Sequence, residues 1–516
     1  MRLPFKFLLP LSAIFSLATP FDPALAEKNT NSPPLVASKG TDYFDISLDK
    51  SILHPRQSQV HLASLKESND PQRDYYLLTK DSQIKLFGDI IKLPKWLSID
   101  LDYVSNSIVW NYESWYAQQV VAAIQIDPGK GTSGELSNWI FDVSAGSASG
   151  DSVAPFILGQ ATPPFILPQQ IFGFGNIVRL YDITLSRKSD PSSVIPSIKF
   201  GKFNAYDDFA SNYFYCSYMN LAFCGQINSP MFASKAPFAP VNNFGFVAKW
   251  HPKNNLDMKY GLFQLNTNSW TPDLNGLDFD IGSAYAQGTQ SYAQIDYTFK
   301  KYNPKEIRSN ALNKSLGLDA DERVLVDNEL PDSKIQLGAW YGSGQASSEL
   351  YSSLDYLSCG SAYCQLSDSV QSLENASGVY LMANTEFDFF NVFHDGVAWA
   401  NIGLVSNSRV ETAGSNVNGG PNSFAIGYIG KGLLRQRPFD EFVMGFSRVS
   451  WAQRYVLDNS INTASQNIFE LGYRFMIDKN LILQPGLQFI YQDSIDRQAV
   501  ADKGVLIGGL QVEFKF

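Results

Sequence analysis

The stretch that closes the chain, Gly504-Val-Leu-Ile-Gly-Gly-Leu-Gln-Val-Glu-Phe-Lys-Phe516, decides how the rest is read. Leu506, Gly508, Leu510, Val512, Phe514 and Phe516 fall on one face of an extended strand. Val505, Ile507, Gly509, Gln511, Glu513 and Lys515 fall on the other. Side chains of a strand alternate between its faces with period two. A strand that is apolar on one face and polar on the other suits a wall between lipid and water. An amphipathic edge strand of a soluble sheet shares the pattern, so the other end of the chain is needed to separate the two.

That end reads as a secretory signal over residues 1–26. Arg2 and Lys6 supply positive charge, Phe7 to Ala18 is an apolar stretch too short to span a bilayer, and Ala24-Leu25-Ala26 is a small-x-small cleavage site. Beyond Ala26 no run of about 18 apolar residues occurs. The last strand resembles the closing strand of bacterial outer-membrane barrels. In those proteins the terminal aromatic residue, here Phe516, is an assembly signal read by the barrel-insertion machinery.

Composition agrees with a barrel. Hydrophobic residues make up 44% of the chain, which suffices where only every second strand residue meets lipid. Aromatic residues reach 14%, with 36 Phe and 25 Tyr, enough to furnish girdles at both membrane interfaces. A formal charge of −10 argues against a nucleic-acid partner. The four cysteines fall in two close pairs, Cys216 with Cys224 and Cys359 with Cys364, as expected of two small disulfides in an oxidising compartment. Zinc is the other reading, but the gaps do not suit a Cys-x-x-Cys knuckle and no His lies close in sequence. No cofactor is implied.

Short alternating segments give sixteen candidate strands, centred near Leu101, Val120, Phe141, Tyr181, Gly201, Val247, Tyr260, Ile295, Leu337, Leu381, Ile402, Tyr428, Phe446, Gly472, Leu487 and Leu510. The expected fold is all-β: a transmembrane antiparallel barrel over residues 91–516 with long extracellular loops. With the first strand starting in the periplasm, the extracellular connections lie near 105–112, 149–176, 205–242, 267–289, 345–376, 408–421, 450–465 and 492–502. The periplasmic turns lie near 127–136, 188–195, 251–254, 301–333, 389–395, 434–439 and 477–479. Long and short connections alternate, with 301–333 the exception: it is either an insertion or a slip in the strand count. Residues 27–90 stand outside the strand pattern, as a periplasmic extension or a partial plug.

Several stretches resemble the carbohydrate-selective porin (OprB-type) family. The most specific spans residues 201–225, where Gly201-Lys202 at a strand end is followed by Asp207-Asp208-Phe209-Ala210 and then by Asn220, Ala222 and Phe223. Further matches are 178–185, 334–344, 428–434 and 470–491, so the resemblance covers roughly 95–516. It implies passive diffusion of sugars through a sixteen-stranded pore in the bacterial outer membrane. The surrounding lipid, the permeating sugars and the insertion machinery are the expected partners, and the protein stands alone or as a homotrimer. A porin for small organic acids, an outer-membrane enzyme and a barrel closed by its own loops are the alternatives. The enzyme is disfavoured because a lipase needs a Ser-His pair on the lipid face. His54 and His61 precede the barrel, while His251 and His394 fall in periplasmic turns.

A sugar offers hydroxyls around a weakly apolar ring, so a selective neck needs aromatic rings and charged or amide groups that bind weakly enough to release. The 205–242 connection carries Tyr206, Asp207, Asp208, Tyr213, Phe214 and Tyr215, with Cys216 and Cys224 beside them. It is expected to be the constriction loop, with a surface cap as the alternative. From the wall, Lys202, Lys249 and Arg474 are the candidate cations, and Asp182 and Asp296 the candidate acids. Each either lines the eyelet or simply wets the lumen.

Overall fold

A computed structural model describes residues 63–65 and 75–79 and most of 93–515. The stretches 131–134, 152, 154–167, 172–177, 190–195, 212–215, 225–226, 228–240, 267–274, 278, 280–285, 321–322, 345–372, 390–391, 413–414, 419–421, 451–462, 479 and 495–502 fall outside that set. So do Phe516, the Cys359 and Cys364 pair and the signal stretch.

Two short strands, β1 (Ala63–Leu65) and β2 (Tyr75–Thr79), precede the barrel. The barrel begins with β3 (Leu97–Trp110), β4 (Glu113–Ile126), β5 (Trp139–Gly150), β6 (Val178–Arg187), β7 (Ser197–Phe203), β8 (Asn243–Lys253), β9 (Leu256–Asn266) and β10 (Ala286–Lys300). Then come β11 (Lys305–Ile307), helix α1 (Asn310–Leu316) and β12 (Val324–Asp327), outside the barrel. The wall resumes with β13 (Ser333–Gly344), β14 (Leu373–Glu386), β15 (Asp395–Thr412), β16 (Ser415–Asn418), β17 (Asn422–Lys431), β18 (Glu441–Ser450), β19 (Thr463–Met476), β20 (Leu481–Ser494) and β21 (Val505–Lys515).

Sixteen antiparallel strands close the barrel, and every expected strand centre falls within one of them. The short β16 pairs with the far end of β15, Arg409 opposite Asn418, and so lengthens the wall without adding a crossing. Closure comes from β21 lying against β3, with Leu510 opposite Ser107 and Phe514 opposite Tyr103. Closing the sheet leaves no edge strand, which is what a bilayer requires of a β structure.

The period-two reading holds in space. Leu506 is 63% exposed on the outer face, whereas Ile507 next to it is 1% exposed. Ile295, Tyr297 and Phe299 likewise face outward, while Gln294 and Asp296 between them are buried inside. Asn111 and Tyr112, with φ of +50° and +67°, join β3 to β4 in a two-residue turn. Both residues are left-handed there, as the right-handed twist of a tight hairpin demands.

The 301–333 stretch is an insertion, and the strand count does not slip there. Strand β11 pairs antiparallel with β12, and β12 pairs parallel with β2, Leu325 opposite Leu77. Strand β1 completes a separate sheet in the order β1-β2-β12-β11. Between β11 and β12, Ser309 caps α1 by accepting from the Leu312 N–H, and Gly317 ends it at φ +71°. Leu78, Ile307, Leu312, Val324 and Val326 form one apolar cluster with Phe439, Met476 and Ile482 of the barrel rim. Part of the 27–90 stretch is thus ordered against the insertion. This small body sits at the end of the barrel where β3 begins and β21 finishes, the end expected to be periplasmic.

Candidate functional site

The connection from β7 to β8 folds into the barrel and touches opposite walls. Its first anchor is the Asp207-Asp208-Phe209-Ala210 turn. Asn204 starts a single 3-10 turn, Ala205–Asp207, by accepting from the Tyr206 N–H at 3.0 Å. That turn aims Phe209 at the wall, where its ring stacks on Tyr292 at 5.2 Å and meets Phe263 edge-on at 6.4 Å. Tyr206 is held by the Tyr292 hydroxyl at 3.2 Å. The Ala210 N–H donates to Gln294 Oε1 at 3.1 Å, and the Tyr380 hydroxyl donates to the same oxygen at 2.7 Å. Gln294 of β10, braced by Tyr380 of β14, is therefore the receptor for the turn's backbone.

The second anchor is the segment between Cys216 and Cys224, which are disulfide-bonded. Glu470 of β19 accepts the Met219 N–H at 2.6 Å and the Asn220 N–H at 2.8 Å. The Asn220 side-chain amide donates to Gln488 of β20 at 2.8 Å. Tyr218 donates to the Met444 carbonyl at 3.0 Å and receives the Trp399 indole N–H at 3.1 Å. Gln484 Nε2 donates to the Ser217 carbonyl at 2.9 Å. A backbone removed from water must find such partners. Here strands more than 180 residues away in sequence provide them.

Strand glycines make room for this segment. A Cβ at Gly445 would lie 2.9 Å from the Phe223 ring and 3.0 Å from that of Tyr218, and one at Gly509 would lie 2.9 Å from Met219. On the opposite wall, a Cβ at Gly261 would lie 2.5 Å from Phe209. Glycine inside a strand marks a close approach by another part of the chain.

The expected site residues separate into four places. Asp182, Asp207 and Asp208 gather around Lys199, whose ammonium lies 3.0 Å from Asp208 and over the Phe203 ring at 4.2 Å. Asp182 also accepts from Ser144 at 2.7 Å. Asp296 pairs with Lys259 at 3.1 Å, and Lys259 donates in turn to the Asp208 carbonyl, so this acid adjoins the same group. Lys249 lies nearer the terminus end and pairs with Asp257 at 3.1 Å. Arg474 belongs to the opposite wall, 2.6 Å from Glu513 and 2.8 Å from Glu441. Lys202 differs from the expectation of a lumen cation. It takes the outward parity of Phe200 and pairs across the strands with Ile183 and Phe244. Its ammonium donates to the Gly276 carbonyl at 2.7 Å, 5.3 Å from the Phe279 ring centre.

Among the described loop residues, Asp207 is the one most open to the lumen, whereas Tyr206 and Phe209 are packed against the wall. Depth inside the barrel, and then the neighbouring Asp182 carboxylate, push the Asp207 pKa up to about 8. Lys199 acts against that rise. The residues not singled out from sequence are Lys199, Lys259, Tyr218 and Glu470. Strand parity makes Lys199, Lys259 and Glu470 inward, and an isolated inward charge between outward aromatic or aliphatic residues is the signal that would have found them.

A family model described as "Carbohydrate-selective porin, OprB family" matches residues 114–516. Porin B of Pseudomonas aeruginosa is 23% identical over 354 residues, which are 64% of this chain and 68% of that protein. The high-pH structure of Pseudomonas putida OprB aligns with a TM-score of 0.60 at 19% identity, over 82% of this chain and 94% of that one, a likeness of fold. The family match runs from the start of β4 to the end of the chain and takes in both anchors of the crossing loop. This chain belongs to the OprB family of carbohydrate-selective porins, barrels of the bacterial outer membrane.

Proposed function

We propose that this porin passes small neutral sugars by diffusion and that its neck is the space left beside the crossing loop. The observation that carries the reading is the group formed by Asp207, Asp208, Asp182 and Lys199. Carboxylates accept from sugar hydroxyls and an ammonium donates to them. Hydrogen bonds to charged groups contribute about 1.5–3 kcal/mol each, so two or three replace much of the water a sugar gives up. Release requires that the sum stay small, and a millimolar site corresponds to about −4 kcal/mol. The close pairing of Lys199 with Asp208 and of Lys259 with Asp296 supports this balance, since a paired wall offers strong local dipoles and a weak net potential.

The same group argues against small organic acids as the preferred solute. Three carboxylates stand near one lysine, so an anion entering the neck is repelled above about pH 8, where Asp207 is ionised. The chain acts as a conduit, and no chemical step is assigned to it.

Liposome swelling tests the reading. Proteoliposomes are given hexoses, disaccharides, amino acids and monocarboxylates in turn. Hexoses are expected to enter faster than monocarboxylates of similar size. Faster entry of the acids, or rates ordered by size alone, overturns it.

A further inference from the structure

We propose that the turn over residues 327–331 is a second neck, at the end of the barrel opposite the long loops, and that strand β2 holds it in place. The proposal rests on the porin reading but not on which solute passes. The turn follows β12 directly, and its backbone reaches the lumen wall. The Asn328 carbonyl accepts from Lys431 Nζ at 2.9 Å, and the Asn328 N–H donates to the Tyr302 hydroxyl at 3.1 Å. Leu330, 7% exposed, joins the lumen cluster that contains Val397 and Ile429, two facing residues of β15 and β17. Glu329 takes φ +51° and donates its N–H to Asp327 at 3.0 Å, which fixes the bend.

The turn and the crossing loop face each other across a chamber. Asp327 to Pro331 line one side of a cavity of about 260 Å³, and Cys216 and Ser217 line another. Between them runs a row of alternating charges on neighbouring strands. Asp395 lies opposite Lys431, Lys431 opposite Glu441, and Glu441 opposite Arg474. A solute that clears the first neck meets this chamber and then the turn.

The insertion is fastened on both sides. Lys305 lies 2.5 Å from Glu386, 2.8 Å from Asp388 and 3.1 Å from the fully buried Asp395. Tyr302 donates to Asp395 at 2.9 Å, and its own N–H donates to Asp332 at 2.9 Å. Opposite these bonds, β2 runs parallel to β12, and Leu78 is fully buried in the cluster that packs the sheet on Phe439, Met476 and Ile482. Removing β2 strips one whole side from the strand that leads into the turn.

Single-channel recording in planar bilayers tests this. One variant replaces residues 303–331 with a short Asn-Gly turn, and a second is Leu78→Asp, which places a charge in the apolar cluster. Heat-modifiable migration on gels reports that each barrel is assembled. Two narrow segments in series share the resistance, so unit conductance is expected to rise about twofold when one is removed. Larger sugars are expected to pass as well. If both variants assemble and keep the parental conductance and size limit, the turn lies off the path and the proposal falls. Should either barrel fail to assemble, Glu329→Cys decides, with the parent as control for the same charged thiol reagent. Modification is expected to reduce the current, and an unchanged current overturns the proposal. A silent parent overturns the porin reading itself, and the second neck with it.

Discussion

Glu470 and Asn220, 250 residues apart in sequence, are joined by a 2.8 Å hydrogen bond from the Asn220 backbone to the Glu470 carboxylate. The other oxygen of that carboxylate takes the adjacent Met219 N–H. One inward acid of the wall thus latches the tip of a loop that starts on the far side of the barrel. The latch converts a long surface connection into a fixed partition of the lumen.

Replacing Glu470 with Ala is expected to free the tip while leaving the barrel intact. Hydrogen bonds to a charged group are worth about 1.5–3 kcal/mol, and two are lost together. Single-channel records are expected to show higher conductance and more open-channel noise than the parent. Parental noise and conductance would mean that the remaining contacts of Tyr218 and Asn220 suffice.

The Cys216–Cys224 bond keeps the latched residues in one compact turn. A disulfide in a folded protein contributes about 2–4 kcal/mol in typical cases. Replacing both with Ser is expected to leave assembly normal, because no strand of the wall depends on them. Sugar entry relative to small ions is expected to change, as read by swelling and conductance on the same preparation.

Gly445 is expected to tolerate no side chain. Valine there collides with Phe223 and Tyr218, which already stand at the contact limit of the bare backbone. Overpacking of this kind costs about 1–3 kcal/mol, enough to push the tip off the wall without breaking sixteen paired strands. Thermal unfolding followed by gel migration is expected to stay near parental, while conductance rises. A barrel that no longer assembles would show that the tip is needed to fold the wall.

Asp207 is expected to give the channel a pH dependence. Its pKa is raised to about 8, so the carboxyl is largely neutral at pH 6 and ionised at pH 9. Negative charge therefore appears beside the crossing loop as pH rises, and cation preference is expected to increase over that range if that loop bounds the neck. The reversal potential in a salt gradient measures it. Asp207→Asn is expected to flatten the curve at the low-pH value; an unchanged curve would place the neck away from Asp207.

The wall was legible in the sequence because lipid and water impose period two on every strand. Leu506 beside Ile507, and Phe469 beside Glu470, show that pattern without tertiary information. The loop's entry into the lumen was foreshadowed by Asp207 to Ala210 and by Asn220 to Phe223, but its partners were not. Glu470, Gln488 and Tyr292 reach it from strands that sequence spacing cannot bring together. Lys202 shows a further limit. Parity near a strand end depends on local geometry, and Gly201 at φ +144° lies in the middle of that stretch. The pairing of β2 with β12 was out of reach for the same reason as the latch, since parallel pairing of strands about 250 residues apart leaves no local mark.

The central claim is that a neutral sugar occupies the neck beside the crossing loop on its way through. Titrating a hexose against the ion current of a single channel tests it most directly. The account predicts brief interruptions of the current whose frequency rises with hexose concentration in the parent and falls sharply in the Glu470→Ala channel. A parental current indifferent to hexose, with monocarboxylates carried or blocking instead, would contradict it.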